Sequence, residues 1–276
     1  MLGKSSKQDK TEPPVIHKPQ LPSTNINFEA DAGVGLEGAD KDSYAIPFLV
    51  ILQPLSPQVS EKTVEGAEAG MVMNSVTNEL YKEIYVVPCA FQRRWVRWAA
   101  REVGGGYKGE FTTPDVQDIR ARNLVKELDG KLFYPAADGS VNPKRDDRLA
   151  DTRNHFVIVV ESPDADFGYP AVLALGSTGI KHSKNFLSRI ESIKKQKANG
   201  ERFTPPSFSH VYKIKTVQDR NEKGVWWTPN ISMVKEIENA GLYGLAKAFN
   251  KQVNEGRVDL AHDSVKEETT DSAKGF

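Results

Sequence analysis

Cysteine is almost missing from this chain: Cys89 is the single one in 276 residues. An internal disulfide and a cysteine-rich zinc site are therefore excluded. Long apolar runs are missing too. The longest, Tyr44 to Leu52, is broken by Pro47, whereas a bilayer helix needs about 20 apolar residues, so no membrane contact is expected. No apolar stretch follows Met1-Leu2-Gly3-Lys4, which argues against a secretory signal. Together these absences point to a reducing, cytoplasmic setting. Net charge is also missing, with 37 basic side chains against 37 acidic ones. The balance is local, however. Residues 1–43 hold 5 basic and 7 acidic side chains, and residues 252–276 hold 3 and 6. The body between them is mildly basic, which hints at a polyanionic partner.

Catalytic signatures are equally scarce. The run Gly104 to Gly109 contains Tyr107 and Lys108 but is followed by Glu110 and Phe111. It therefore lacks the Gly-Lys-Ser/Thr ending of a phosphate loop and reads as a glycine-rich hairpin. His17, His155, His182, His210 and His262 form no H-E-x-x-H pair. Ser177, in Gly176-Ser177-Thr178-Gly179, lacks the flanking pattern of a nucleophile elbow. Asp146, Asp147 and Asp151 stand beside Lys144, Arg145, Arg148 and Arg153. Such carboxylates suit a metal-dependent nuclease, but a self-neutralising charged loop is the simpler reading. A protein without catalytic residues, metal or cofactor is expected.

What is present is a β-rich middle between two polar ends. Residues 1–43 carry Pro13, Pro14, Pro19, Pro22, Gly33, Gly35 and Gly38, too little apolar area to offset ordering entropy, so a disordered arm is expected. A flexible acidic tail is expected over 256–276. Within 44–255, strands are expected at Gly70–Val76, Ile84–Trp98, Lys131–Tyr134, His155–Glu161, Ala171–Leu175, Phe208–Val217 and Gly224–Trp227, with a bend or edge position at Pro88. Helices are expected at Ser183–Lys197 and Val234–Val253, with a shorter one inside Val116–Leu128. The fold class is therefore α+β and β-rich. Its centre is an OB-like barrel or a strongly curved antiparallel sheet, with a basic helix and a C-terminal helix.

One strand carries a chemical pattern. Odd and even residues of a strand face opposite ways, so Phe91, Arg93, Trp95 and Arg97 share a face. Single-stranded nucleic acid needs those two elements, flat π surfaces for bases and cations for phosphates. The same pattern equally suits a strand that buries its rings and lets the arginines reach the rim. A second patch combines Tyr212, Lys213 and Lys215 with one of Trp226 or Trp227. Adjacent tryptophans point to opposite faces, so at most one belongs to the core. A third patch is the basic helix bearing Lys181 and Lys184, which also suits an ordinary solvated face. The Gly104–Gly109 hairpin, with Tyr107 and Lys108, is placed to close over a bound strand.

The tail ends Ala273-Lys274-Gly275-Phe276 after Asp259, Asp263, Glu267, Glu268 and Asp271. It resembles the acidic, phenylalanine-terminated tails of bacterial and phage single-stranded DNA-binding proteins. That resemblance implies a tail that competes with DNA and docks Phe276 on replication proteins. The body resembles a group of tailed-phage early proteins over roughly residues 30–250. The resemblance lies in Ala45 to Pro57, Glu65 to Gly70, Val87-Pro88 with Arg94, Trp95 and Trp98, the Gly104–Gly106 run, and Phe203 to Tyr212. It implies a bacteriophage origin and, for some of that group, single-stranded DNA binding. The expectation is a non-enzymatic single-stranded DNA-binding protein of DNA replication or recombination, in the host cytoplasm, with a homo-oligomer left open. The alternative is an accessory factor that binds a polymerase or host enzyme through its aromatic residues.

Overall fold

The computed structural model describes residues 27–39, 43–222, 224–258 and 260. The chain divides into a unit of residues 1–40 and a unit of residues 41–276. In the first, residues 27–39 form a series of turns, and the Gly35 amide donates to the Glu37 carboxylate at 2.9 Å. The remainder of the expected N-terminal arm lies outside the described residues.

The second unit opens with a small antiparallel sheet of β1 (Leu49–Ile51), β2 (Val72–Asn74) and β3 (Leu80–Tyr81), with a single-turn α1 (Pro57–Ser60) between its first two strands. Then come β4 (Glu83–Trp98), β5 (Tyr107–Phe111), α2 (Thr113–Ala121), β6 (Lys126–Leu128), β7 (Lys131–Phe133), β8 (Arg148–Val160) and β9 (Tyr169–Gly176). The chain continues through α3 (Gly179–Ser192), β10 (Lys195–Gln196), β11 (Arg202–Phe203), β12 (His210–Asn221), β13 (Gly224–Glu236) and α4 (Ala240–Asn254).

The main sheet runs β13-β12-β4-β8-β7-β6, with β5 added to β4 and β9 added to β8. It is antiparallel and strongly curled into a half-barrel. Its spine is the long ladder of β4 on β8, from Tyr85 opposite Val160 to Trp98 opposite Arg148. Aromatic and β-branched residues fill both strands, as a pleated surface buried on its faces demands.

Two clusters fill the two faces. Ile84, Val86, Val157, Val159, Leu173, Tyr212 and Ile214 pack with Phe186 of α3. Val87, Cys89, Phe156, Ile158, Val160 and Val211 pack with Leu242, Ala246, Phe249 and Val253 of α4, and Val258 and Leu260 join their rim. A third, smaller cluster seals the far end of the sheet, where Val116 and Ile119 of α2 meet Leu132 and Leu149. A capping box at Thr112 and Asp115 starts α2, and the Asn239 side chain caps α4 by accepting from the Leu242 amide at 3.0 Å.

A bulge at Cys89 sets the phase of β4. Pro88 pairs with Val157 and Ala90 with Phe156, leaving Cys89 as the extra residue. Its carbonyl is not orphaned, since it accepts from Asn250 Nδ2 at 2.7 Å and Ser207 Oγ at 3.1 Å. Pro88 has no N–H to donate and lies beyond the β12 ladder, whose last β4 partner is Val86. Before the bulge, Ile84 and Val86 face α3. After it the odd residues do, because the Phe91 ring meets His155 at 5.1 Å and His155 meets Phe186 at 5.3 Å.

Several boundaries differ from the sequence pattern. The expected helix Ser183–Lys197 starts earlier, at Gly179, and ends at Ser192, after which Lys195 pairs with Phe203. The expected helix from Val234 begins only at Ala240, because Ser232, Met233 and Lys235 continue the β12–β13 ladder. Pairing with a long neighbouring strand overrides local helical periodicity there. Likewise Val116–Leu128 divides into α2 and β6. No helix among the described residues is long and apolar enough to cross a membrane.

Candidate nucleic-acid interface

The phase set at Cys89 puts Phe91, Arg93, Trp95 and Arg97 on the α3 side of the sheet, beyond the cover of α3 itself. The ladder places Arg93 opposite Arg153 and Trp95 opposite Asp151. Arg93 grips Asp151 with two bonds, Nε to Oδ1 at 3.0 Å and Nη2 to Oδ2 at 2.7 Å. Arg153 holds the same carboxylate at 3.0 and 3.2 Å. The Arg93 guanidinium also lies 5.0 Å from the centre of the Trp95 ring. One strand-turn further, Arg97 donates to Asp147 at 2.7 Å and stacks over Tyr134 at 3.9 Å. Lys108 of β5 reaches the same Asp147 at 3.3 Å.

Each carboxylate is shared by two cations, so each cluster keeps one net positive charge. The carboxylates are the buried members, Asp147 at 9% and Asp151 at 15% exposure, while Arg97 and Arg93 are 32% and 36% exposed. Lys108 is exposed as well. Arg93, Arg97 and Lys108 are thus braced from below and open outward, while Arg153, at 12% exposure, is mostly buried with Asp151. Burial opposes ionisation of Asp151, but hydrogen bonds from Arg93 and Arg153 outweigh it and hold its carboxyl below the usual range. His155, under Phe91, is driven down to about 3 by burial and by the charge of Arg153. It is therefore neutral at physiological pH and shares a 2.8 Å hydrogen bond with Ser183.

The rings divide between packing and exposure. Trp95 is half-buried against the cluster of Val116, Ile119 and Leu149. Its indole N–H finds no acceptor among the described residues. Phe91 is half-buried. Tyr107 is half-buried and stands edge-on to Trp98, with centroids 6.2 Å apart. The row Arg93–Arg153–Leu175 crosses three strands and ends near the start of α3. There Lys181 and Lys184 are exposed, and neither makes an ion pair among the described residues.

The second patch does not form as expected. Tyr212 is 1% exposed and packs edge-on against Phe186 at 5.1 Å. It is a core ring and offers no face to a base. Lys213 and Lys215 point away from it, Lys213 lying 5.9 Å from the Tyr85 ring and Lys215 pairing with Glu83 at 2.8 Å. Trp227 turns inward, and both its backbone groups are held by the Gln53 side chain, at 2.8 and 3.0 Å. Its ring lies flush on Gly70, where φ is +93° and a Cβ would come within 2.6 Å of the indole. Trp226, on the opposite face, is half-buried. The patch also lies at the other end of β4. Arg93 is some seven residues beyond Val86, about 23 Å along an extended strand. Phe276 lies outside the described residues.

The carboxylates weighed for metal chemistry are occupied otherwise. Asp147 and Asp151 are bound to the cations named above, and Asp146 accepts from the Asn142 amide at 2.6 Å. Among the described residues no group of three ligating side chains is arranged to hold a metal ion.

A family model described as Pam3 phage gp34-like protein matches residues 17–259. The chain belongs to that family. Membership in the gp34-like family supports a phage protein, as the sequence resemblance implied, and by itself assigns no activity. No curated protein and no solved structure matches the chain.

Four members of this interface, Tyr134, Asp147, Asp151 and Arg153, escape the strand pattern of β4. Tyr134 follows β7, which meets β8 at Leu149. Only the pairing of β8 with β4 on one side and β7 on the other brings them together. The one local signal was the alternation Asp151, Arg153, His155 along β8, the same every-second-residue spacing that marks β4.

Proposed function

We propose that this gp34-like family member binds single-stranded nucleic acid, specifically single-stranded DNA in phage replication or recombination, without acting on it chemically. The observation that supports this most is the double cluster on β4 and β8. Outward-facing Arg93, Arg97 and Lys108 are braced on the buried Asp151 and Asp147, with Arg93 beside the Trp95 ring and Arg97 over that of Tyr134. Cations neutralise phosphates, and ring faces stack bases of any sequence. The carboxylates fix the guanidinium groups in place, so less side-chain freedom is lost when a phosphate arrives. Lys181 and Lys184 extend the cationic surface. The curled half-barrel accommodates this role, and an OB-like barrel is the closed form of such a sheet that suits it best. The reading places the protein in the host cytoplasm, with Phe276 as the residue that contacts replication proteins.

The test is a fluorescence titration with a labelled single strand, with duplex as control, at several salt concentrations. Preferential single-strand binding that weakens steeply with salt, through counterion release, is the expected result. Binding to neither would favour the accessory-factor reading, in which these rings anchor a protein partner.

A further inference from the structure

The hairpin of β8 and β9 carries two unmatched features, one at each end. At its turn, residues 161–168 present Phe167 at 70% exposure, the most exposed aromatic ring among the described residues. The ring stands on a fixed backbone. Behind it, Gly168 lies so close to β8 that a Cβ would fall 2.2 Å from the Val159 carbonyl oxygen. Ahead of it, Lys235 Nζ donates to Asp164 Oδ1 at 2.6 Å, and Ala165 packs against the cluster under α4. At the far end of the hairpin, β9 runs into α3 beside a partly open cavity of about 170 Å³. Trp98, Trp227, Val50, Ala150, Leu175 and Pro229 line it. Gln53 holds both backbone groups of Trp227 and Gly70 abuts its ring, so this wall is rigid. Arg148, the charged residue of the lining, is already engaged within the chain.

We propose that the Phe167 ring of one protomer enters this cavity of the next, so that copies of the chain join head to tail. Size, polarity and charge select that occupant. An apolar cavity of about 150 Å³ takes benzene, and phenylalanine carries the same ring on a short stem. The lining is mainly aromatic and aliphatic, which suits a phenyl group better than a polar one. The backbone around Phe167 is already ordered, so burying the ring costs little further freedom. The loop that bears it is acidic. Lys235 answers Asp164 and Glu238 at 2.6 and 3.2 Å, while Glu161 and Asp166 are exposed and make no ion pair among the described residues. Beside the cavity the sign reverses: the first turn of α3 holds no acidic residue, and Lys181 and Lys184 are exposed. The first and last residues of β9 stand about 23 Å apart, so a protomer cannot place Phe167 in its own cavity. Knob and hole are different surfaces, and such a heterologous contact propagates into open chains or rings. The inference goes beyond the nucleic-acid reading and does not rest on it. Where that reading also holds, joined protomers cover a strand cooperatively.

The experiment is sedimentation velocity of the full chain without nucleic acid, over a range of protein and salt concentrations. The weight-average mass should climb above that of one chain with no stop at a dimer, and the climb should move to higher protein concentration as salt rises. Phe167→Ser alters an exposed side chain and should raise the concentration needed for assembly by about tenfold or more. Thr178→Phe, which adds a ring to the half-buried cavity wall at the start of α3, should do the same. Mixing the two variants leaves one intact knob and one intact hole, so the mixture should form a heterodimer and stop there. A wild-type chain that stays monomeric throughout overturns the proposal, as does wild-type assembly by Phe167→Ser. A wild type that stops at a dimer, or a mixture of folded variants that stays monomeric, overturns it as well. If Thr178→Phe does not fold, the comparison of wild type with Phe167→Ser decides alone. Assembly without any strand binding leaves this proposal standing and removes the nucleic-acid reading; strand binding by a monomer does the reverse.

Discussion

On β4, rings and guanidinium groups recur at every second residue, so Arg93, Trp95 and Arg97 emerge together on one face. On β12, Tyr212 and Lys213 are consecutive, so the ring enters the core and the amine leaves it. Both strands carry aromatic and basic residues, and the spacing between them decides which face each takes. What covers each face matters as much. Tyr212 lies under Phe186 of α3, while Arg93 and Arg97 lie past the reach of α3 and beside the smaller α2 cluster. The comparison teaches that a strand rich in aromatic and basic residues presents a mixed surface only where both kinds share parity and the covering helix stops short.

Four outcomes would sharpen or break that contrast. The largest concerns Tyr212. Replacing it with Ala should cost about 3–5 kcal/mol in a denaturant unfolding curve, the range for deleting a buried aromatic ring. Tyr212→Phe should cost almost nothing, because the hydroxyl has no partner among the described residues. A Tyr212→Ala protein of wild-type stability but weakened binding would erase the distinction between the strands.

Next comes acid sensitivity beneath the β4 surface. His155 binds its proton only near pH 3 when folded, against about 6.5 when unfolded. The unfolded chain therefore binds more protons between those values, and stability is full above about 6.5. It should fall by up to about 1.4 kcal/mol per pH unit as the pH drops towards 3. Asp151, whose pKa is lowered, adds its own loss only below about pH 4. His155→Leu should flatten the upper part of this profile in pH-dependent unfolding measurements. An unchanged slope would mean that the imidazole is not the buried neutral group described.

A smaller effect is expected at Trp95. Trp95→Ala should weaken single-strand binding by about 1–3 kcal/mol without altering its salt dependence, since a ring releases no counterions. Loss of stability alone would make Trp95 a packing residue like Tyr212. The smallest effect belongs to Lys215→Ala. Its pair with Glu83 is half-exposed at 2.8 Å, and solvent screens such a pair until it contributes little. Both melting temperature and affinity should stay close to wild type.

Much of the strand content was legible because β4, β8, β9 and β12 are dense in aromatic and β-branched residues. The shared parity of Phe91, Arg93, Trp95 and Arg97 was legible for the same reason. The face they occupy was not, because it depends on one unpaired residue, Cys89, that the pattern does not mark. The ion pairs to Asp147 and Asp151 were also hidden, since they come from the register of β4 on β8. Val234 to Glu236 read as the start of a helix until the ladder with β12 claimed them. The alternation of Tyr212 with Lys213 was visible, and the burial of Tyr212 follows from it once α3 is placed.

The account turns on whether Arg93 and Arg97 meet phosphates. The direct measurement is the affinity of a labelled single strand for wild type and for Arg93→Gln/Arg97→Gln over a range of salt. Asp151 keeps Arg153 and Asp147 keeps Lys108 in that variant, so the fold should hold. The account predicts weaker binding and a plot of log affinity against log salt shallower by about two phosphate contacts, some 1.4 in slope for a single strand. An identical slope and affinity in the two proteins would contradict it.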